Sequence, residues 1–190
     1  EKDVNIFYGD NAQGKTNILE AIYMCATASS HRGGKDKDII KFEENEAHIK
    51  AHIKKNEFNY RIDMHLRKSK SKGIAINGVP IRKLSKIFGI LNVIIFSPED
   101  LSIIKDGPSK RRKFIDLELC QIDKVYVSNL IGFNKVLNQR NKVIKEYDYV
   151  KDADIMLDVL DDQLCGYIKE IVERRKIFIN ELKEYVKNIH

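Results

Sequence analysis

Two neighbouring stretches of the chain alternate apolar and polar residues with a period of two, at 47–54 and 58–66. This is the period of a half-buried β-strand, because successive side chains of a strand point to opposite faces of the sheet. The short polar segment at 55–57 makes an antiparallel hairpin the natural interpretation. We therefore expect a sheet that contains antiparallel strands.

Further strands are predicted on both sides of this hairpin. Short apolar stretches at 74–76 and 79–81 flank Asn77-Gly78, a dipeptide that favours the tight turn of a second hairpin. Apolar runs at 4–8 and 91–96 also have the length of strands. The first part of the chain is thus predicted to carry an antiparallel or mixed sheet.

Spacings of three and four, which are typical of helices, begin at 16–24. The apolar residues expected to share one face of this helix are Ile18, Leu19, Ile22 and Tyr23. The small and polar residues 27–34 predict a loop, and 35–42 a short helix.

From about Asp123 glycine is nearly absent, and the pattern predicts two long antiparallel helices joined by a turn at 148–154. Their predicted seams are Tyr126, Leu130, Phe133, Leu137, Arg140, Ile144 and Tyr147, and Leu157, Leu160, Leu164, Ile168, Ile171, Arg175, Phe178, Leu182, Tyr185 and Ile189. The predicted fold class is accordingly an α/β (α+β) lobe at 1–116, followed by an all-α helical hairpin arm at 117–190.

Two arginines interrupt the apolar seams of the arm. Arg140 and Arg175 would each be costly there without a partner, since a buried charge needs a counter-charge or hydrogen bonds. The expected partners are Glu146, Glu173 or backbone carbonyls.

Composition limits the class of protein. The chain of 190 residues carries a net charge of +6, which favours an acidic partner such as nucleic acid without proving one. Its three cysteines are far apart and indicate neither a disulfide framework nor a metal site. No apolar run approaches the length of a membrane span, so we predict a cytoplasmic protein without membrane contact. The chain opens with Glu1 inside an apparent strand, and we expect it to be a piece of a longer protein.

The strongest chemical signal is the run Gly9, Asp10, Asn11, Ala12, Gln13, Gly14, Lys15 and Thr16, which fits the phosphate-loop pattern G-x-x-x-x-G-K-S/T. Its glycines allow backbone N–H groups to wrap around phosphate oxygens. Lys15 would reach the β- and γ-phosphates and Thr16 would bind Mg²⁺, at the positive end of the helix that starts there. The predicted ligands are therefore ATP or a similar nucleotide and Mg²⁺, and no residue is assigned a catalytic role.

Two basic segments are candidate contacts to a nucleic-acid backbone. No acidic residue occurs between Met64 and Lys86, and four adjacent basic residues occur at 110–113. Such contacts need a dense positive face and read no base sequence. The candidates are Arg67, Lys68, Lys70, Lys72, Lys110, Arg111 and Arg112.

Four segments, 8–22, 96–101, 107–116 and 139–141, together resemble the RecF family of bacterial recombination mediators, in order and spacing. The resemblance implies an ATPase head of the SMC and ABC type. It also implies an ATP-dependent homodimer that binds double-stranded DNA near single-strand gaps and, with RecO and RecR, assists RecA loading in repair, replication and the SOS response. Arg32 falls where such heads have an arginine loop between nucleotide and DNA.

The chain also lacks parts that this resemblance calls for. It has no serine-rich signature and no credible metal-binding carboxylate strand, which implies a fragment without the extreme N-terminus and the C-terminal part. ATP hydrolysis is then expected of the complete dimer and to be negligible for this chain.

Alternatives remain open at this point. One is a small phosphate-loop enzyme such as a nucleotide kinase or a GTPase, although neither 134–137 nor 141–144 completes the base-reading N-K-x-D motif. Others are a different SMC- or RecN-like head and a DNA-binding scaffold without nucleotide dependence.

Overall fold

The computed structural model of this chain describes residues 4–189, apart from the side chains of Glu99 and Ser102. The backbone divides into two compact units between Arg111 and Arg112. The predicted division after residue 116 falls within the same helix, α4 (Pro108–Ile122), as this boundary. Within residues 4–189, no helix is both long and apolar enough to cross a bilayer.

The first unit contains the predicted sheet. Its strands are β1 (Glu46–Lys55), β2 (Phe58–Arg67), β3 (Gly73–Ile76) and β4 (Val79–Pro80), and they pair in this order, all antiparallel. Both predicted hairpins are therefore confirmed. The second one turns at Asn77 and Gly78, whose φ angles of 51° and 81° are those that a two-residue hairpin turn requires.

Three α-helices lie entirely within this unit: α1 (Lys15–Thr27), α2 (Asp36–Ile39) and α3 (Ser102–Lys105); Leu84–Lys86 and Pro98–Leu101 are short 3-10 helices. The C-terminal half of α1 packs on the inner face of the sheet, which carries Ile62, Met64 and Leu66. The remaining buried residues of this core are Met24, Cys25, Ala28, Ile40, Ile74 and Ile87.

The four residues predicted to share one face of α1 differ in burial. Ile18, Leu19 and Ile22 are between 41 and 45% exposed, and only Tyr23 is buried. The helix is apolar on more than one side, so its periodicity does not say which side meets the sheet. Met24 and Cys25 are fully buried, in the same apolar cluster as Ile62, Met64 and Leu66 of β2.

Two predicted strands are not formed. The structure assigns no strand at 4–8 or at 91–96. Tyr8, Ile94 and Phe96 are more than 80% exposed. An apolar run supplies residues suited to a strand, but a strand also requires a hydrogen-bonded ladder, which the run itself cannot specify.

The second unit is the predicted helical hairpin. It consists of the C-terminal part of α4 together with α5 (Lys124–Lys145) and α6 (Ala153–Ile189), the last two joined by a short turn. Its apolar core contains Val136, Val143, Ala153, Leu160 and Leu164, with Phe133, Leu137, Val150, Leu157 and Tyr167 packed against it. The C-terminal half of α5 thus packs against the N-terminal half of α6, as expected for antiparallel helices.

The seam shifts by one residue at two of the predicted positions, and its last three predicted residues on α6, Leu182, Tyr185 and Ile189, are exposed. Val143 is buried where Ile144 was expected, and Tyr167 packs where Ile168 was expected; Ile144 and Ile168 are about half exposed. An α-helix of 3.6 residues per turn drifts relative to a strict repeat, so spacing alone tolerates a shift of one residue.

The seam arginines have partners other than the expected ones. Arg140 pairs with Asp161, and Arg175 pairs with Asp116, with N···O distances of 2.7 and 2.9 Å from Nη2 to the two carboxylate oxygens. The prediction of Glu146 and Glu173 as partners of these arginines is therefore wrong. Each true partner lies on another helix, where sequence proximity gives no guidance.

Candidate nucleotide-binding site

The glycine-rich loop at 9–16 leads directly into α1. Its backbone has positive φ angles at Gly9 (143°), Ala12 (64°) and Gly14 (83°). Positive φ is uncommon for a residue with a side chain, so Ala12 marks a loop held in a special conformation. Alternation of such residues with ordinary ones turns successive N–H groups toward a shared concave side, which suits an anion.

The N-terminus of α1 leaves donors for that anion. Gly14 precedes the helix, and among the described residues no side chain caps it and no acidic residue lies in its first turn. The first N–H groups of a helix have no partner within the helix, and its dipole is positive at this end. These N–H groups can therefore bind phosphate oxygens.

Lys15 lies over the loop that precedes it. Its Nζ donates to the carbonyl oxygens of Gly9, at 2.8 Å, and Asp10, at 2.5 Å. These bonds are exposed, and a phosphate oxygen is a stronger acceptor for an ammonium group than a neutral carbonyl. Thr16, the second helical residue, is exposed. The structure thus places the eight predicted residues in one loop and at the start of α1.

A buried carboxylate of α1 contacts two residues of the loop at 28–35. Glu20, 6% exposed, accepts a hydrogen bond from the Ser30 hydroxyl, and its other oxygen lies 3.7 Å from Nη1 of Arg32. The Arg32 side chain is 45% exposed, so it is held near α1 yet reaches solvent. The sequence reasoning missed Glu20, although its signal was available: it is the single acid of α1.

The basic residues at 67–72 largely hold neighbouring loops. Lys72 donates to Asp36, at 2.9 Å, and to the carbonyl of Ala28, so this segment lies beside the loop that carries Arg32. Lys68 donates to the carbonyl of Phe42 at 3.0 Å. Arg67 donates to the carbonyl of Ser71 at 3.2 Å. The side chain of Lys70 is exposed.

The second basic segment lies on α4. Arg111 donates to the carbonyls of Ile103 and Asp106, at 3.1 and 2.9 Å, and so caps the end of α3. Lys110 and Arg112 are exposed. Two of these three candidates thus present their charge to solvent.

The one cysteine of α1 is not a candidate nucleophile. Cys25 is buried, and this burial raises the pKa of its thiol to about 11. The thiol is therefore protonated at neutral pH and unreactive.

Comparison with known proteins agrees with this geometry. A protein-family model described as an AAA domain matches residues 1–190. The DNA replication and repair protein RecF of Lachnospira eligens is 56% identical over 98% of this chain, which covers 52% of that protein. The protein of the same name from Agathobacter rectalis is 56% identical over 100% of this chain, again 52% of its own length. The chain spans about half the length of these relatives.

A solved structure described as the recombination mediator protein RecF with ATP in the RecFOR pathway is 35% identical and superposes with a TM-score of 0.87. This match covers 93% of the present chain and 48% of the other. These similarities confirm the resemblance expected from the four motifs and the mixed α/β fold with a helical arm.

Proposed function

The chain belongs to the AAA domain family, and from this membership and its likeness to RecF over its whole length we propose that it is the ATP-binding part of a RecF-type DNA repair protein. Its ligand is ATP with Mg²⁺, held at the loop 9–16 and the start of α1. The observation that carries the proposal is the positive-φ loop in front of an uncapped helix start, with Lys15 folded over it. A solved relative described with ATP supports the same ligand.

The residues of the loop have separate roles in this proposal. Backbone N–H groups between Gly9 and Gly14 surround the phosphates, and Lys15 exchanges its two carbonyl partners for phosphate oxygens. The Thr16 hydroxyl binds Mg²⁺, which supplies charge neutralisation at the phosphates. Gly9 must remain glycine, because residues with a side chain rarely adopt its φ of 143°.

The activity of the complete protein is part of the same proposal. An ATP-dependent homodimer binds double-stranded DNA at gap junctions and acts with RecO and RecR to assist RecA loading. Hydrolysis belongs to that dimer. Among the basic candidates we rank first those exposed to solvent, because a side chain already bound within the protein must give up its contacts before it binds a phosphate. They are Lys70, Lys110 and Arg112; Arg32, Arg67, Lys68, Lys72 and Arg111 follow, because each already makes a hydrogen bond or an ion pair within the protein.

The test is the affinity for a fluorescent ATP analogue with Mg²⁺, measured by titration of the protein that contains this chain. Lys15→Ala should weaken binding about 10- to 100-fold, the effect of losing a hydrogen bond to a charged group. Lys41→Ala is the matched control, since Lys41 is an exposed lysine of the same unit outside the loop. Equal affinity of the Lys15 and Lys41 variants would refute the proposal.

Two further measurements distinguish the competing functions. A nucleotide kinase would transfer phosphate to an acceptor as this chain alone, whereas the proposed protein would not. A DNA-binding scaffold would bind DNA with a dependence on salt but none on ATP. DNA binding that is strengthened by ATP, and lost in Lys15→Ala, supports the repair ATPase over both.

A further inference from the structure

The outer face of the β1–β2 hairpin carries a cluster of nitrogen and oxygen donors that the proposed ATP site does not use. Among the described residues, Glu46, His48 and His65 are the one group of three whose metal-ligating atoms all lie within 4.8 Å of one another. The cluster lies on the sheet face opposite the apolar core, away from the residues that pack under α1.

The register of the hairpin brings these residues together. Glu46 and His48 are two positions apart on β1 and so share one face of the sheet. His48 lies directly opposite His65 on β2, with ring centroids 4.0 Å apart and planes inclined by 25°. Nε2 of His65 is hydrogen-bonded to Oε2 of Glu46. Three donors from two paired strands therefore converge on a single point of the surface.

We propose that Glu46, His48 and His65 form a binding site for one divalent transition-metal ion, with Zn²⁺ as the best fit. Two imidazoles and one carboxylate are the ligands of open zinc sites, in which a water molecule or another ligand completes the tetrahedron. Such a site needs donor atoms about 3.3 Å apart at metal–ligand distances of about 2.0–2.1 Å. Rotation of exposed side chains can bring donors that already lie within 4.8 Å to this separation. Mg²⁺ prefers oxygen ligands, so this site differs in chemistry from the one proposed at Thr16.

The surroundings leave room for the ion and its remaining ligand. Across from His65 on the side of β3 stands Gly73, which has no side chain, and Nη2 of Arg67 lies 3.7 Å from the position that a Cβ would take there. A groove of about 480 Å³ runs over this part of the sheet, and His48, His65 and Gly73 contribute to its walls. The open coordination position would therefore face solvent in the groove.

The two neighbouring cationic side chains each have another partner. Arg67, opposite Glu46 in the register, directs Nη2 at the carbonyl of Ser71. Lys50, next on the same face of β1, has Asp63 within 3.9 Å.

The experiment is a calorimetric titration of the full chain with Zn²⁺ alone, in a buffer that does not bind zinc. We expect one equivalent to bind, and His48→Ala and His65→Ala each to weaken that binding by about tenfold or more. Glu46→Gln should also weaken it. His52→Ala is the matched control, because His52 is exposed on the same face of the same strand but lies outside the cluster. The zinc affinity of the His52→Ala variant should equal that of the unaltered chain.

A second measurement uses the unaltered chain, so its result does not depend on whether the variants fold. In ¹H–¹⁵N spectra of the unaltered chain, Zn²⁺ should shift the ring nitrogen signals of His48 and His65 and leave those of His52 and His31 in place.

Cys165→Ser is a control for binding by a thiol. It removes the one exposed thiol among the cysteines and should leave the zinc binding unchanged. The proposal is overturned if no zinc binds, if Cys165→Ser abolishes the binding, or if the ring signals of His48 and His65 do not move.

Discussion

The helical arm and the glycine-rich loop use their charged side chains in opposite ways. In the arm, Arg174 pairs with Asp123 at 2.8 Å and Arg175 with Asp116 at 2.7 Å, and all four side chains are less than 30% exposed. In the loop, Lys15 makes exposed bonds to the neutral carbonyls of Gly9 and Asp10. These two arginines of the arm are matched by opposite charges, whereas the charge of Lys15 is matched only by carbonyl dipoles.

This difference separates structural charges from functional ones. A matched and partly buried ion pair is costly to break, because removal of one partner leaves the other desolvated. An exposed bond between an ammonium group and a carbonyl contributes little to folding and is readily exchanged for a stronger acceptor. Charge substitutions should therefore reduce stability in the arm and ligand binding in the loop.

The largest effect on stability is expected at Arg175. Its guanidinium donates to both oxygens of Asp116, and Tyr126 donates to the same carboxylate. Arg175→Met keeps the apolar stem and should lower the free energy of unfolding by about 3 kcal/mol. This loss is measured by urea unfolding, monitored through the helical circular dichroism signal.

Arg140→Met is the matched control for that substitution. Arg140 and its partner Asp161 are 32% and 45% exposed, so solvent screens the pair and the loss should be much smaller than for Arg175→Met. Equal losses for the two arginines would show that burial of the pair does not set its contribution.

A smaller effect is expected at Asp123, which caps the N-terminus of α5. Its carboxylate accepts from the backbone N–H groups of Val125 and Tyr126, both at 2.9 Å, and these bonds together with Arg174 lower its pKa. Asp123→Asn can still cap the helix but loses the charge, so we expect a loss of about 1 kcal/mol at neutral pH.

The pH dependence of that loss has a definite sign. Because the folded pKa of Asp123 is below its unfolded value of about 3.9, its contribution is complete above that value and disappears as the pH falls through the folded pKa. The difference in stability between the unaltered protein and the Asp123→Asn variant should hence be constant near neutral pH and shrink in acid. A difference that grows in acid would contradict the assignment.

The smallest effect on stability is expected at Lys15. Lys15→Ala should change the free energy of unfolding by about 0.5 kcal/mol or less, since its two bonds are exposed. Thermal unfolding without nucleotide measures this change. A large loss would mean that Lys15 holds the loop together, and its effect on ATP binding could then be indirect.

Local sequence signals predicted the elements that depend on neighbouring residues. The loop at 9–16 and the turn at Asn77-Gly78 have the backbone that their glycines require. The hairpin at 55–58 was equally evident. What the sequence could not give was contact between distant residues, such as the pairing of Arg175 with Asp116.

The histidine cluster was missed for a related reason. Alternation placed His48 and His65 on strands, but only the register places them opposite each other. A two-residue turn at Asn56-Glu57 determines that register, and once the turn is known the pair can be read from the sequence. The apolar runs at 4–8 and 91–96 were predicted as strands that the structure does not form. No local signal specifies the hydrogen-bonded ladder that a strand requires.

The central claim is that backbone N–H groups of the loop bind the phosphates of ATP. Backbone ¹H–¹⁵N spectra of the protein, recorded with and without ATP and Mg²⁺, test it most directly. We predict the largest shifts at Gly14, Lys15 and Thr16. Unchanged signals from these residues, with the main shifts elsewhere, for example at 67–72, would contradict it.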